Sequence, residues 1–363
     1  MSDTGGLDLE RLAPWLREHC DLGPITTVVP VLGGRSNLTT IITDDRDQRI
    51  VVRRPPLSGV LASAHDVARE GRIMEALGNT SVPVPPVLAI ADEQDGLGVP
   101  LLVTGFVAGH VIRDVRSAAD LDLRTRHRLT PSVVRTLAAL HDLDVDAIGL
   151  GALARRSGYF TRQVERWTRQ LARGGDRAVP VLHELAQALS DRRPAEGQLA
   201  LVHGDYRLDN LIVDVGSCSV RAVLDWELST LGDPLADLGT LLVYWGVPPR
   251  AGRAASVLLP DLPTAAEGFA EPAELVITYA EARGLDAEHL SEQLRPYLAF
   301  AWFRIACILE GVRIRTGRGA YGELQDTAGE EMRRFEELVP ELGYRALSIL
   351  AGRGPVVFED EHI

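Results

Sequence analysis

The side chains best placed to do chemistry in this sequence are Asp205, Asn210 and Asp225. An apolar run, Leu199 to Val202, leads into His203-Gly204-Asp205, and Asn210 follows after four intervening residues. A second apolar run and a turn at Gly216 to Ser219 come next, and a third short run ends on Asp225. Phosphoryl transfer asks for an acceptor that orients the attacking hydroxyl and takes its proton, and for hard oxygen ligands to a Mg²⁺ bridging the phosphates. A carboxylate, an amide oxygen at this spacing and a second carboxylate at the end of a following hairpin supply those parts. Mg²⁺ keeps several waters, so one carboxylate and one amide suffice. Asp and Asn also favour turns, but turn preference gives no reason for the joint spacing with Asp225. His203 reads as structural, a ring that bonds backbone and holds the loop. Asp209 and Asp214 read as surface or loop acids. Asp237, early in a helix after Pro234, suits the positive helix end and a supporting role. Glu227 and Asp233 stay open between support, substrate contact and loop cap.

The elements that must hold these residues follow from periodicity. Leu7 to Cys20 repeats apolar residues at helical spacing, through Leu9, Leu12, Trp15 and Leu16. Ile25 to Leu32, Leu38 to Thr43 and Arg49 to Arg53 read as strands, with Gly33-Gly34-Arg35-Ser36-Asn37 and Asp44 to Gln48 as the turns between them. Ser63 to Leu77 reads as a helix with Ser63 as N-cap and an acid, Asp66, three residues on. Val87 to Ala91 and Leu101 to Val107 read as two more strands. So little chain separates the strands that most pairings must be antiparallel. Beyond Gly109 the pattern turns helical, through Leu121 to Leu143, Tyr159 to Ala172, Pro180 to Ser190 and most of Ala265 to Leu350, with Leu199 to Asp225 as an island of short strands. The fold class is α+β, a small antiparallel sheet unit over residues 1–105 followed by a larger helical unit over 106–363.

Composition narrows the function. The chain has 363 residues and a net charge of −13, which gives no basic field for nucleic acid. The cysteines Cys20, Cys218 and Cys307 are far apart, as in a reducing compartment, and no C-x-x-C pair suggests zinc. Met1 to Glu10 lacks the basic stretch of a leader, and the longest apolar run, Tyr297 to Leu309, is interrupted by Arg304 and too short to span a membrane. These features point to a cytoplasmic protein; they are silent on oligomeric state. All 38 basic residues apart from histidine are arginine, which rules out a Walker A loop. Gly317-Arg-Gly-Ala-Tyr-Gly322 has dinucleotide-loop spacing but follows a helical segment instead of a strand, and so reads as a helix end. Neither G-x-S-x-G nor H-E-x-x-H occurs.

With these residues in view, the chain resembles the aminoglycoside phosphotransferase and choline kinase superfamily. His203-Gly-Asp205-x-x-x-x-Asn210, followed by Leu224-Asp225-Trp226-Glu227 and by Gly232-Asp233-Pro234-Leu-Ala-Asp237, carries the likeness. Protein kinases carry His-Arg-Asp and Asp-Phe-Gly instead, and an Ala-Pro-Glu segment is also missing. Leu32-Gly-Gly-Arg-Ser-Asn37, Val52-Arg53-Arg54-Pro55-Pro56, Ser63-Ala-His65 and Arg69-Glu70 resemble the branch that includes kinase-like domains joined to some acyl-CoA dehydrogenases. The likeness spans about residues 25 to 245.

The resemblance implies a bilobal protein-kinase-like fold and transfer of a phosphate from ATP, or GTP, with Mg²⁺ to a hydroxyl of a small molecule. The acceptor is left open among aminoglycoside-like compounds, amino alcohols, sugars and hydroxyacyl compounds. It implies Asp205 as catalytic base, Asn210 and Asp225 as metal ligands, Gly33, Gly34, Arg35, Ser36 and Asn37 over the nucleotide phosphates, and Gly105, Phe106 and Val107 as the hinge that meets adenine. Arg53 falls at the phosphate-contacting position and Glu70 at that of its helix partner. Strand alternation gives Val51 and Arg53 one face and Arg54 the other, so a slip of one residue would exchange the two arginines. The alternative to an enzyme is a non-catalytic nucleotide-binding module, which the missing lysine favours.

Overall fold

The computed structural model describes residues 7–31, 37–55, 66–172, 179–245, 262–317 and 325–353. The first part of the chain runs α1 (Leu9–Cys20), β1 (Ile25–Pro30), β2 (Leu38–Asp44), β3 (Arg49–Arg54), α2 (Val67–Leu77), β4 (Val87–Ala91) and β5 (Leu101–Gly105). Then come α3 (Val115–Ala119), α4 (Leu123–His141), α5 (Tyr159–Ala172), α6 (Pro180–Asp191), β6 (Ala200–Val202), β7 (Leu211–Asp214), β8 (Ser219–Val223) and β9 (Thr230–Gly232). The chain continues as α7 (Leu235–Trp245), α8 (Pro272–Arg283), α9 (Ala287–Gly317) and α10 (Gln325–Leu350). Two compact units form, the first drawn from Met1–His110, Asp146–Leu150 and Asn210–Ser229, the second from Val111–Val145, Gly151–Asp209 and Thr230–Ile363. The chain therefore passes from the second unit to the first between Asp209 and Asn210.

In the first unit β1 to β5 form one antiparallel sheet, ordered β1-β2-β3-β5-β4, as the short connections require, and β7 and β8 form a separate antiparallel pair. Asp8 caps α1, its carboxylate accepting from Glu10 N and Arg11 N. Leu12, Trp15 and Leu16 then line one helix face and pack with Ile42, Ile50, Val52, Leu101 and Val103. From the opposite sheet face, Ile90 and Leu102 reach α2. A Cβ on Gly71 would stand 2.6 Å from Ile90 Cδ1, so glycine sets how closely this helix approaches the sheet. The N-cap of α2 is Asp66, which accepts from Arg69 N at 2.8 Å; the expected cap, Ser63, lies outside the described residues. Asp is as good a cap as Ser.

The second unit is helical around one short antiparallel pair, β6 with β9. Helix α7 is buried on nearly every side, as its sequence Leu-Ala-Asp-Leu-Gly-Thr-Leu-Leu-Val-Tyr-Trp requires. Gly239 brings it against α9, where a Cβ would sit 3.0 Å from Tyr297 O. The apolar run that Arg304 interrupts lies within α9 and is buried from Tyr297 to Phe303 and from Ile305 to Cys307. Gly317 ends that helix, and Gly319 to Gly322 lie outside the described residues. Among the described residues no helix is long and apolar enough to cross a membrane.

Candidate active site

Strand β3 alternates, and its two arginines part company. Ile50, Val52 and Arg54 are buried on the α1 side, and Arg54 borders a cavity of about 200 Å³ with Leu7, Leu12 and Leu101. Arg53 faces the other way and meets two carboxylates. Its Nη1 lies 2.8 Å from Glu70 Oε1 on α2, and its Nη2 lies 3.1 Å from Asp225 Oδ1. Burial opposes the Arg53 charge most strongly, yet Glu70 and Asp225 together outweigh it and hold the guanidinium above its ordinary range. Burial pushes the Glu70 carboxyl up from its usual range, against the pull of Arg53.

Helix α2 is fastened to the segment carrying Asp225. Trp226 N donates to Glu70 Oε1 at 3.4 Å, and Arg69 donates to Glu227 O at 3.4 Å and to Ser229 O. Strands β7 and β8 form an antiparallel hairpin; Leu211 pairs with Val223 at its open end, and Leu224 N donates to Asn210 O at 2.8 Å. Asn210 and Asp225 therefore flank the open end of one hairpin, at the start of its first strand and just past its second. Asp225 is left-handed, at φ 66° and ψ 63°, which costs a non-glycine residue roughly 1–3 kcal/mol and is tolerated where surrounding contacts overdetermine it.

The loop that carries Asp205 belongs to the second unit. After β6, His203 N and Gly204 N donate to the two oxygens of Asp237, at 2.6 and 2.8 Å. Asp205 N donates to His203 Nδ1 at 3.2 Å, which leaves the ring proton on Nε2. Tyr206 is wholly buried and donates to Val133 O at 2.8 Å. Asp237 also lies 3.3 Å from His141 Nε2, and His141 Nδ1 is 2.7 Å from the Tyr279 hydroxyl. Burial pulls the His141 pKa down despite Asp237.

The Asp205 carboxylate is met from both sides. Arg207 Nε lies 3.2 Å from Oδ2 and Arg304 Nη2 lies 3.5 Å from Oδ1. Arg207 also pairs with Asp209 at 3.0 Å and stacks on Tyr244, 4.9 Å from the ring centroid. Asp209, read from the sequence as a surface or loop acid, is thus a paired side chain whose pKa burial raises. Asp214 is a turn acid, accepting from Gly216 N and Ser217 N. Asp233 caps α7 at Leu235 N and accepts from Tyr297 OH.

The structure brings Arg53, Glu70 and Asp225 together, with Asn210 at the same open end of the β7–β8 hairpin as Asp225. Gly33, Gly34, Arg35 and Ser36 lie outside the described residues. Asn37 is buried at 5% exposure, and its amide nitrogen and oxygen find no hydrogen-bond partner among the described residues. Gly105 N donates to Pro86 O and Phe106 N to Arg49 O, so both amides are engaged; Val107 follows them. Arg207 and Arg304 were absent from the residues chosen by motif. Arg304 had one signal, a charge within an apolar helix, which needs a partner.

A small antiparallel sheet unit and a larger helical unit make the kinase-like α+β fold. Residues 27–268 match the phosphotransferase enzyme family, and the chain belongs to that family. Acyl-CoA dehydrogenase family member 10 of Mus musculus is 33% identical over 316 residues, covering 86% of this chain and 28% of the mouse protein. Acyl-CoA dehydrogenase family member 11 of Homo sapiens is 29% identical over 314 residues, covering 85% of this chain and 39% of that protein. The chain thus spans well under half the length of these curated relatives. A crystal structure from Ralstonia eutropha JMP134, provisionally named an aminoglycoside phosphotransferase, is 33% identical with a TM-score of 0.74, covering 94% of this chain and 98% of that one. Macrolide 2'-phosphotransferase MphH from Brachybacterium faecium, 20% identical with a TM-score of 0.56 over 90% of this chain and 97% of its own, shares the fold. The chain accordingly stands among phosphotransferase enzymes by family and by fold.

Proposed function

We propose that this phosphotransferase moves the γ-phosphoryl group of Mg²⁺-bound ATP, or GTP, to a hydroxyl of a small molecule. The observation that carries the reading is Arg53 held between Glu70 and Asp225 at 2.8 and 3.1 Å: a fixed cation on the third strand, beside a carboxylate that ends the hairpin begun by Asn210. A kinase site uses a strand lysine for this task. Arginine stays charged and can fork across two phosphate oxygens, so it serves in a chain without lysine.

The donor set fits Mg²⁺. Asn210 and Asp225 offer an amide and a carboxylate oxygen, and the remaining ligands of this ion are ordinarily water and phosphate oxygens. Among the described residues no cluster of three or more His, Cys, Asp or Glu side chains favours another metal. When bound, the ion would neutralise phosphate charge. Asp205 would orient the acceptor hydroxyl and receive its proton. The Asn37 amide, which follows Ser36 in sequence and finds no hydrogen-bond partner among the described residues, is a buried polar group suited to phosphate oxygens. At the proposed hinge the Gly105 and Phe106 amides are engaged, so adenine contacts would fall to Val107 and to carbonyl groups.

The acceptor class stays broad: aminoglycoside-like compounds, amino alcohols, sugars and hydroxyacyl compounds. Hydroxyacyl acceptors enter the test because the curated relatives are acyl-CoA dehydrogenase family members. A reducing, cytoplasmic setting completes the proposal, since Cys20, Cys218 and Cys307 are free and buried. The test is turnover of Mg²⁺-ATP and Mg²⁺-GTP against a panel of those acceptors, with Asp205→Asn as control. Mg²⁺-dependent product formation that the control loses supports the reading. Nucleotide binding without turnover on any acceptor would make the chain a non-catalytic binding module.

A further inference from the structure

We propose that Arg304 on α9 is a positioning residue for phosphoryl transfer, aiming the Asp205 carboxylate and fixing the peptide at Gly204. This rests on the reading of Asp205 as the group that receives the hydroxyl proton. Arg304 shares a helix face with Tyr297 and Phe300, both buried, and its own side chain is 12% exposed. Burying a guanidinium there is costly unless it is fully used, and a hydrophobic side chain would pack at least as well. The structure shows where the charge is used. Nη1 donates to Gly204 O, and Nη2 lies 3.5 Å from Asp205 Oδ1. The Trp167 ring stands 5.8 Å from the guanidinium carbon on another side.

The Gly204 peptide units are therefore gripped on both sides. Gly204 N donates to Asp237 Oδ1 at 2.8 Å, and the Gly204 carbonyl accepts from Arg304. Gly204 is left-handed at φ +84°, so steric limits do little to choose its orientation, and these two grips do. The peptide they fix leads directly to Asp205. Arg207 also touches the carboxylate, but it is two residues along the same loop, and its guanidinium is divided among Asp205, Asp209 and the Tyr244 ring. Arg304 is anchored on a separate, packed helix and gives the loop a fixed external reference.

Proton acceptance depends on the carboxylate meeting the hydroxyl within a fraction of an ångström, and a 1 Å misplacement costs about 10²-fold in rate. The test uses the full chain with Arg304→Gln, Arg304→Ala and Arg304→Lys, following Mg²⁺-ATP turnover with the acceptor panel and with water as acceptor. Arg304→Gln should lower kcat about 10²-fold. Its nucleotide KM should stay within about twofold of wild type, since among the described residues Arg304 is engaged with Gly204, Asp205 and Trp167. Arg304→Lys, which keeps charge and bulk, should retain part of the rate, and added guanidinium should restore part of it to Arg304→Ala. An unchanged kcat overturns the proposal, as does a loss that follows a falling Tm and resists guanidinium. If wild-type protein turns over no nucleotide, the phosphotransfer reading fails, and a crystal structure of Arg304→Gln decides the positioning claim. A rotated Asp205 carboxylate with a displaced Gly204 carbonyl supports it; an unmoved pair overturns it.

Discussion

Arg53 and Arg54 differ by one position and by everything that surrounds them. Arg53 pairs with Glu70 and Asp225, while Arg54 is 2% exposed on the α1 side of the sheet. Replacing Arg53 by Ala should raise the nucleotide KM by roughly 10–100-fold, the worth of a hydrogen-bonded charge at about 1.5–3 kcal/mol. Arg53→Lys should recover part of this, because charge remains and the fork is lost. Arg54→Ala should leave the KM unchanged and lower the melting temperature instead. Steady-state kinetics beside thermal unfolding separates the two. If Arg54→Ala is the variant with the raised KM, the phosphate contact lies on the wrong face for this reading. Asp205→Asn should keep nucleotide binding and lose roughly 10²–10⁴-fold in turnover, the contribution of a positioned acid–base group. Full activity in that variant would take Asp205 out of the mechanism.

At the scale of elements, two contacts carry the site. Helix α2 presents Glu70, and its distance from the sheet is set by Gly71, where a Cβ would meet Ile90 at 2.6 Å and Leu102 at 2.9 Å. Gly71→Val should destabilise the protein by about 1–3 kcal/mol through overpacking. It should also raise the nucleotide KM by pushing Glu70 off Arg53. An unfolding curve that shifts with no change in KM would mean that the pair tolerates helix displacement. The second contact joins α4, α7 and α8 through His141, Asp237 and Tyr279, with Arg283 donating to the Tyr279 hydroxyl at 2.9 Å and Asp142 nearby. Burial lowers the His141 pKa below its unfolded value, so the native state keeps a neutral ring. The unfolded state then binds the extra proton first as pH falls. Stability from this group is complete above about pH 6.5 and declines below it, by at most about 1.4 kcal/mol per pH unit. Denaturant unfolding between pH 7.5 and 5.5 measures this, and His141→Gln should flatten the dependence. An equal slope in that variant would assign the pH dependence to other groups.

For the molecule as a whole, nucleotide binding should appear as stability. A ligand that binds only the native state adds about 2.7 kcal/mol at a concentration a hundred times its Kd. Mg²⁺-ATP should therefore raise the melting temperature, and ATP with a chelator should not. Asp225→Asn is the matched control. Asn tolerates the left-handed backbone at this position, so ligand-free stability should stay near wild type while the Mg²⁺-dependent gain disappears. A Mg²⁺-dependent gain that survives in Asp225→Asn would remove Asp225 from the metal site.

The sequence by itself determined the strand-rich start, the helical remainder and the spacing of Asp205, Asn210 and Asp225, because periodicity and short motifs are local properties of the chain. It also decided which arginine of β3 shares a face with Val51, since alternation along a strand is local too. The tertiary structure decided what those residues touch. It joined Asn210–Ser229 to the N-terminal sheet, brought Glu70 and Asp225 to one guanidinium, and moved the α2 cap from Ser63 to Asp66. It also gave Asp205 a partner 99 residues away in Arg304. No local pattern encodes a contact across that separation. Only packing of α9 decides which loop atoms a buried guanidinium meets, and a lone charge in an apolar helix says that a partner exists without saying which.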